Sequence, residues 1–212
     1  MEPFTYKFSP RHVPFMKEQI WEARHDLGVY SDLAVFEFSQ FEGHIGAPKT
    51  VLEVGCGLGR GSIFLNHLLH DDDTLFVLAD RTGYTSNSGA FNPEVDEFYN
   101  DLELTADFCQ QNGIKKFRTF DTEVDDWATL PKADLIFSLC SFGMHVPIER
   151  YIDRLIAGGR PTSTMIFGTR SADYGQTSFK ERFQEVLYIP GEVNRGIFPV
   201  ENWLILKNPL PR

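Results

Sequence analysis

Closely spaced glycines after a short apolar run most constrain how this chain can fold. The run Val51-Leu52-Glu53-Val54 leads directly into Gly55-Cys56-Gly57-Leu58-Gly59-Arg60-Gly61, and a helical pattern of apolar residues follows from Ile63 to Leu69. Such glycines allow backbone dihedrals that are closed to other residues, and they leave no Cβ in a ligand's way. The stretch therefore predicts a strand, a tight turn and a helix whose free N–H groups face a ligand.

The glycine spacing distinguishes two kinds of nucleotide-binding turn. A dinucleotide fingerprint has glycines at its first, third and sixth positions, and these positions hold Gly55, Gly57 and Arg60 in this chain. The last glycine is missing. The spacing therefore disfavours a nucleotide-dependent oxidoreductase, which stays open as an alternative.

Further strands and helices alternate along the rest of the chain. Apolar runs predict strands at 74–80, 115–122, 133–140 and 162–169, with a helix through Leu102 and Phe108 and another that begins at Pro147. Residues 183–189 and 202–207 have the pattern of a closing strand pair. Ahead of the turn, residues 14–26 predict a helix, and Ser31 is placed to cap a second one. This alternation predicts an α/β fold.

Asp80 ends the predicted second strand. One carboxylate can accept hydrogen bonds from both hydroxyls of a ribose. Nucleotide-binding α/β folds place an acid at a similar distance after their glycine turn. We therefore predict that Asp80 binds a ribose.

The run Glu53-x-Gly55-x-Gly57-x-Gly59 resembles motif I of the class I methyltransferases that use S-adenosylmethionine. The order of predicted elements over roughly residues 48 to 207 is similar to that family as well. The resemblance implies a Rossmann-like, seven-stranded, mostly parallel sheet with helices on both faces and an antiparallel last strand. It also implies one domain, in which residues 1–47 form an arm and helices covering the active site and residues 48–212 form the cofactor-binding core.

The same resemblance implies S-adenosylmethionine as the cofactor and S-adenosylhomocysteine as its product. In that family the turn holds the methionine end and ribose, an acid such as Asp121 accepts from the adenine amino group, and the end of the fourth strand lies beside the transferred methyl. The expected cofactor contacts are Glu53, Gly55, Cys56, Gly57, Gly59, Asp80, Arg81, Asp121, Thr122, Ser138 and Leu139.

Methyl transfer to a hydroxyl also requires a base that takes the hydroxyl proton. His145 is our candidate, because it alone among the six histidines falls at the carboxyl end of a predicted central strand. Its unperturbed pKa of about 6.5 suits a base near neutral pH. A histidine that only caps or packs the following helix is the alternative interpretation.

The acceptor side of the site is predicted from two segments. Residues 81–99 form a long polar and aromatic stretch of the kind that often makes lids or binding segments, and Tyr84 and Tyr99 are its candidate wall residues. Arg170 and Tyr174 lie in a polar loop at the same edge. Residues 97–102 and 141–147 are loosely similar to sugar O-methyltransferases. We therefore predict O-methylation of a sugar or other polar small molecule, with a non-catalytic cofactor-binding module as the alternative.

Composition and charge exclude other classes of protein. The 212 residues carry a formal net charge of -10, which disfavours a nucleic-acid partner. Hydrophobic residues make up 42% and charged residues 24%, as in ordinary globular proteins. No apolar stretch has the length of a membrane span, and the first residues lack the pattern of a signal peptide. We expect a cytoplasmic monomer or homodimer without a bound metal.

Overall fold

A seven-stranded sheet forms the centre of the molecule. The structure is a computed structural model that describes residues 4–19, 26–84, 99–142, 146–169, 179–191 and 202–211. The strands are β1 Thr50–Val54, β2 Leu75–Asp80, β3 Phe117–Asp121, β4 Ala133–Ser138, β5 Gly159–Thr169, β6 Phe183–Ile189 and β7 Asn202–Pro209.

The strand order across the sheet is β3-β2-β1-β4-β5-β7-β6. The pairings from β3 through β5 are all parallel. Strand β7 lies between β5 and β6 and is antiparallel to both of them. The predicted seven-stranded sheet with an antiparallel last strand is therefore confirmed.

Five α-helices surround this sheet in the described residues: α1 Val13–Gln19, α2 Gly28–Phe41, α3 Arg60–Leu69, α4 Leu102–Gln111 and α5 Ile152–Gly158. The second helix begins before the predicted cap, because Asp26 Oδ1 accepts a hydrogen bond from the N–H of Gly28 at 2.8 Å. Ser31 is buried inside that helix. The prediction of a cap at Ser31 was wrong.

One connection is tighter than the sequence predicts, and another contains no α-helix. Pro147 precedes a 3₁₀ turn, Ile148–Arg150, and the α-helix begins only at Ile152. Strands β3 and β4 are joined through the 3₁₀ turn Trp127–Thr129, without an α-helix. The carboxyl ends of the parallel strands are nevertheless held at one edge of the sheet, where the predicted site residues lie.

The sheet is buried on both faces because its side chains alternate between two hydrophobic clusters. Val51 and Phe137 pack with Phe38, Phe64 and Phe108, which belong to helices α2, α3 and α4. On the opposite face Leu52, Val54 and Ile136 pack with residues of α5 and the 3₁₀ turns. The predicted placement of helices on both faces is confirmed.

The N-terminal arm is anchored to the first face of the core by polar contacts, two of them buried. Tyr6 donates its hydroxyl to the carbonyl oxygen of Arg60 at 2.8 Å, and its N–H donates to Ser31 Oγ at 3.3 Å. Asn112 accepts from the N–H of Lys7 at 2.7 Å and donates to the carbonyl oxygen of Lys7 at 2.8 Å. The arm therefore packs against α2, the start of α3 and the end of α4.

A buried ion pair joins α2 to the first turn of α3. Arg60 Nη2 donates to Glu37 Oε1 at 2.9 Å, and Arg60 Nη1 donates to Glu37 Oε2. Arg60 is 7% exposed and Glu37 is 1% exposed. Burial lowers the pKa of Arg60, but the Glu37 carboxylate raises it, and the pKa lies well above its ordinary value. The guanidinium is therefore a permanent cation that requires its partner.

We predict that removing Glu37 alone destabilises the fold strongly. Glu37→Leu leaves a buried guanidinium without a carboxylate, which typically costs about 3–5 kcal/mol. The double variant Glu37→Leu/Arg60→Met removes both charges and should recover most of that loss. Urea denaturation gives the free energies of unfolding.

The control is the ion pair between Lys115 and Asp72, whose side chains are 65% and 64% exposed. Asp72→Asn should cost less than about 1 kcal/mol. A Glu37→Leu variant as stable as Asp72→Asn would show that the buried pair does not hold α2 on α3.

Candidate cofactor site

The glycine turn follows β1 directly and adopts left-handed backbone conformations. The φ angles of Gly55, Gly57 and Gly59 are 64°, 53° and 81°. The N–H of Gly55 donates to the carbonyl oxygen of Ala79 at 2.8 Å, so the turn is tied to the end of β2. Helix α3 begins at the next residue, Arg60. The predicted strand, turn and helix are all present.

Glu53 holds the turn from inside the protein. Its carboxylate Oε2 accepts a hydrogen bond from the N–H of Ser62 at 2.8 Å, and the residue is 3% exposed. Burial raises the pKa of Glu53 to about 7, although the hydrogen bonds from Ser62 oppose the shift. Glu53 thus caps a free N–H of the first turn of α3. Its direct contact with a cofactor stays a prediction.

Asp80 holds the turn from the side of β2. Its Oδ2 accepts from the N–H of Gly57 at 2.8 Å, and its Oδ1 accepts from the N–H of Arg81 at 2.9 Å. Burial raises the pKa of Asp80 to about 6, against the effect of those two hydrogen bonds. A carboxylate oxygen can accept more than one hydrogen bond. Both oxygens of Asp80 therefore retain capacity for a ligand hydroxyl.

Glycine is required where the turn meets the sheet. A Cβ on Gly55 would lie 2.1 Å from Ser141 Cβ, and a Cβ on Gly61 would lie 2.5 Å from Phe137 Cε2. In a dinucleotide fingerprint the last glycine allows close packing of helix and strand. Here Gly61 has that role, one position after Arg60. Although Arg60 replaces the last glycine of the fingerprint, the close packing of helix on strand is kept at Gly61.

The end of β3 lies beside Asp80. Asp121 is the register partner of Asp80, and the N–H of Thr122 donates to the carbonyl oxygen of Asp80 at 2.8 Å. Asp121 Oδ1 accepts from the N–H of Glu123 at 3.0 Å, and its Oδ2 accepts from the N–H of Thr82 at 3.4 Å. The structure therefore brings Asp121 and Thr122 to the same edge as the turn.

The end of β4 closes the opposite side of the turn. Ser138 is buried, and its Oγ accepts from the N–H of Phe142 at 3.1 Å. Leu139 is also buried, and the close approach of Ser141 to Gly55 brings this segment against the turn. Cys56 is buried too, and burial raises the pKa of its thiol well above the ordinary value. The predicted cofactor residues thus gather at four adjacent strand ends, those of β3, β2, β1 and β4.

The predicted acceptor side is only partly described. The backbones of Tyr84 and Tyr99 pair in an antiparallel ribbon, Gly83–Tyr84 with Tyr99–Asn100, so the ends of the long segment come together. The candidate base His145 and the candidate contacts Arg170 and Tyr174 lie outside the described residues. Their roles stay predictions.

Two residues near the site were missed by sequence reasoning. Glu37 and Arg60 meet Cys140 at the end of β4, with Arg60 Nη2 3.8 Å and Glu37 Oε1 3.7 Å from its Sγ. The sequence carried a signal for Glu37, because this acid lies between Phe36 and Phe38. The residues one turn before and one turn after it in the helix are buried. For Arg60 the sequence indicated only that the last glycine of the dinucleotide fingerprint is missing.

Known proteins resemble this chain in structure, while its sequence matches neither a family model nor a curated protein. A methyltransferase from Pyrococcus furiosus aligns with a TM-score of 0.58 and 12% identity over 84% of this chain and 83% of its own. An S-adenosylmethionine-dependent methyltransferase from Aquifex aeolicus aligns with a TM-score of 0.55 and 13% identity over 95% and 100%. This chain has the methyltransferase fold.

A third similar structure, the StiE O-MT, has a TM-score of 0.56 and 15% identity, with 98% of this chain and 85% of that one covered. At such identities the likeness concerns the fold. The resemblance to class I methyltransferases seen in motif I is confirmed at that level, and S-adenosylmethionine is the cofactor that this fold binds in the Aquifex aeolicus protein.

The described part of the chain has neither a metal-binding cluster nor a membrane-spanning helix. No group of three or more His, Cys, Asp or Glu side chains there is arranged to hold a metal ion. No helix among these residues combines the length and apolarity needed to cross a bilayer.

We predict that Gly61→Ala destabilises the protein by about 1–3 kcal/mol, as expected when a methyl group is forced into a packed interior. The added Cβ would lie 2.5 Å from Phe137 Cε2 and 2.6 Å from Glu53 Oε1. Gly158→Ala is the matched control, because nothing lies within 4 Å of its Cβ position. The control should stay unchanged or gain up to about 1 kcal/mol in urea denaturation. Equal effects of the two substitutions would contradict close packing at Gly61.

We also predict that Glu53 makes stability fall as pH rises. Its folded pKa of about 7 lies above the ordinary value of 4.5, so between these values the folded state binds more protons than the unfolded state. The free energy of unfolding should decrease by up to about 1.4 kcal/mol per pH unit in that interval. Urea denaturation at pH 5, 6, 7 and 8 measures this slope.

Glu53→Gln should remove the slope between pH 6 and 7. Asp80→Asn is the comparison variant. The pKa of Asp80 is raised only to about 6, so Asp80 contributes to the slope below pH 6 and not between pH 6 and 7. If the slope between pH 6 and 7 persists in Glu53→Gln, the raised pKa belongs to another group.

Proposed function

We propose that this protein transfers a methyl group from S-adenosylmethionine to a small molecule and releases S-adenosylhomocysteine. The observation that carries this proposal is the glycine turn at the carboxyl edge of the sheet, where Glu53 and Asp80 accept from Ser62 and Gly57. The glycines of the turn have no Cβ atoms to block a ligand, and the carboxylate of Asp80 can accept further hydrogen bonds. A nucleoside with an attached charged tail fits such an arrangement.

The sheet topology favours methyl transfer over the alternative oxidoreductase. In the dinucleotide-binding fold the strands follow the order 3-2-1-4-5-6 and are mostly parallel. Here an antiparallel strand, β7, lies between β5 and β6. Together with Arg60 at the last glycine position, this topology supports S-adenosylmethionine rather than a nicotinamide dinucleotide.

The chain's own residues would bind and orient the cofactor. S-adenosylmethionine supplies an activated methyl group on a sulfonium. Asp80 would accept from the ribose hydroxyls, and Asp121 with Thr122 would contact the adenine. Ser138 and Leu139, at the end of β4, would contact the end of the cofactor that carries the methyl group. Methyl transfer is an in-line displacement, so positioning and exclusion of water account for most of the catalysis.

The methyl acceptor in this proposal is a hydroxyl of a sugar or another polar metabolite. His145 takes the proton from that hydroxyl, and Tyr84, Tyr99, Arg170 and Tyr174 contact the acceptor. The net charge of -10 supports a small molecule over a nucleic acid. Similarity to the StiE O-MT supports transfer to oxygen. A monomer or homodimer in the cytoplasm suffices for this activity.

A non-catalytic module that binds S-adenosylmethionine is the second candidate. The two candidates differ at His145, which the module does not need. Loss of turnover in His145→Ala with intact cofactor binding supports the enzyme. Cofactor binding without turnover of any sugar or polyol acceptor supports the module.

We predict that the protein binds S-adenosylhomocysteine in calorimetric titration and that Asp80→Ala weakens this binding at least 10-fold. The variant loses charge-assisted hydrogen bonds to the ribose, each of which is worth about 1.5–3 kcal/mol. Because the pKa of Asp80 is about 6, affinity should also fall as pH decreases from 7 to 5.

Asp72→Asn is the control variant, since Asp72 pairs with Lys115 on the surface. Its affinity should equal that of the wild type. NAD should give no heat of binding. Saturable binding of NAD with no binding of S-adenosylhomocysteine would replace this proposal with the oxidoreductase.

A further inference from the structure

Asn100 is buried beside the site with an unused amide. It is 2% exposed, and neither its Oδ1 nor its Nδ2 has a hydrogen-bond partner in the described structure. Buried polar side chains nearly always have partners, and an amide left without one lowers stability. The structure therefore maintains a donor and an acceptor at this position without using either in the fold.

Backbone contacts join Asn100 to the chain segment that follows Asp80 and to the start of α4. Asn100 pairs with Gly83, which follows Asp80 by three residues along the chain. The residue after Asn100, Asp101, caps α4 by accepting from the N–H groups of Glu103 at 2.9 Å and Leu104 at 3.3 Å. Asn100 is thus held on one side by the end of β2 and on the other by the start of α4.

The first turn of α4 also contacts the glycine turn. Thr105 donates its hydroxyl to the carbonyl oxygen of Gly57 at 2.7 Å. The N–H of Gly57 in turn donates to Asp80. Asn100 therefore belongs to a closed set of elements in which Asp80, Gly57 and the start of α4 hold one another in place.

We propose that Asn100 hydrogen-bonds the ribose hydroxyls of the bound cofactor, together with Asp80. This inference rests on the proposed function and adds a residue to its cofactor site.

The chemistry of the two side chains is complementary. A carboxylate only accepts, so each ribose hydroxyl donates its hydrogen bond to Asp80 and keeps lone pairs on its oxygen. The Nδ2 group of Asn100 can donate to such an oxygen. A diol held by Asp80 therefore satisfies the donor of the amide, which an apolar ligand does not.

Helix α1 lies against the ribbon strand that contains Asn100. The amide is closed to solvent in this packing, so a ligand reaches Asn100 only when the elements packed around it shift.

The test compares wild type with Asn100→Leu, which has nearly the same shape and no polar atoms. Without ligand, the melting temperature should rise, because an unpaired amide has been removed. Affinity for S-adenosylhomocysteine should fall at least 10-fold in calorimetric titration. A structural role for Asn100 would instead lower the melting temperature of both Asn100→Leu and Asn100→Ala, and this result overturns the proposal.

Ligand analogues then localise the contact. Wild type and Asn100→Leu are titrated with the 2′-deoxy and 3′-deoxy analogues of S-adenosylhomocysteine. With at least one analogue the difference between the two proteins should shrink to less than 3-fold. A difference that persists with both analogues, or equal affinity of the two proteins for S-adenosylhomocysteine itself, overturns the proposal.

Asn100→Ala repeats these measurements with a smaller side chain in case the leucine does not fit. Failure of the inference is distinct from failure of the proposed function. In the first case wild type binds S-adenosylhomocysteine and Asp80→Ala binds it at least 10-fold more weakly, while the Asn100 variants bind normally. In the second case wild type itself does not bind.

Discussion

Two buried carboxylates that accept from backbone N–H groups determine the shape of the glycine turn. Glu53, in β1, accepts a hydrogen bond from the N–H of Ser62. Asp80, at the end of β2, accepts one from the N–H of Gly57. Both carboxylates are shielded from water, and burial raises the pKa of each. The turn is therefore fixed before any ligand arrives, and a ligand does not have to order it. Preorganisation of this kind lowers the entropic cost of binding.

The same turn connects the site to the N-terminal region. Arg60 directly follows the last glycine of the turn, pairs with Glu37 of α2, and accepts the hydroxyl of Tyr6 at its carbonyl oxygen. Cys140 at the end of β4 contacts the same pair. One residue thus joins the turn, the helices that precede it and the strand beside the proposed methyl position. Substitutions at these contacts can therefore alter the start of α3 without touching a ligand.

Local patterns predicted much of this architecture, and long-range contacts explain the rest. The glycine turn and the acid at Asp80 follow from short motifs, because strand ends and left-handed turns have strong local signals. The pair of Glu37 and Arg60 could not be predicted, because it depends on how two helices meet. Ser31 failed as a cap because Asp26 supplies an earlier one. Asn100 looked like an ordinary polar residue until its burial was known.

The position of β7 has a consequence for how the chain folds. Among the described residues strand β6 pairs with β7 alone, and β5 pairs with β7 along its second edge. Until residues 202–209 are synthesised and inserted, both strands present unpaired backbone groups to their surroundings. Exposed edges of this kind favour pairing with other chains, and distant pairings form slowly. Folding of this protein is therefore most exposed to aggregation in the interval before its last strand is in place.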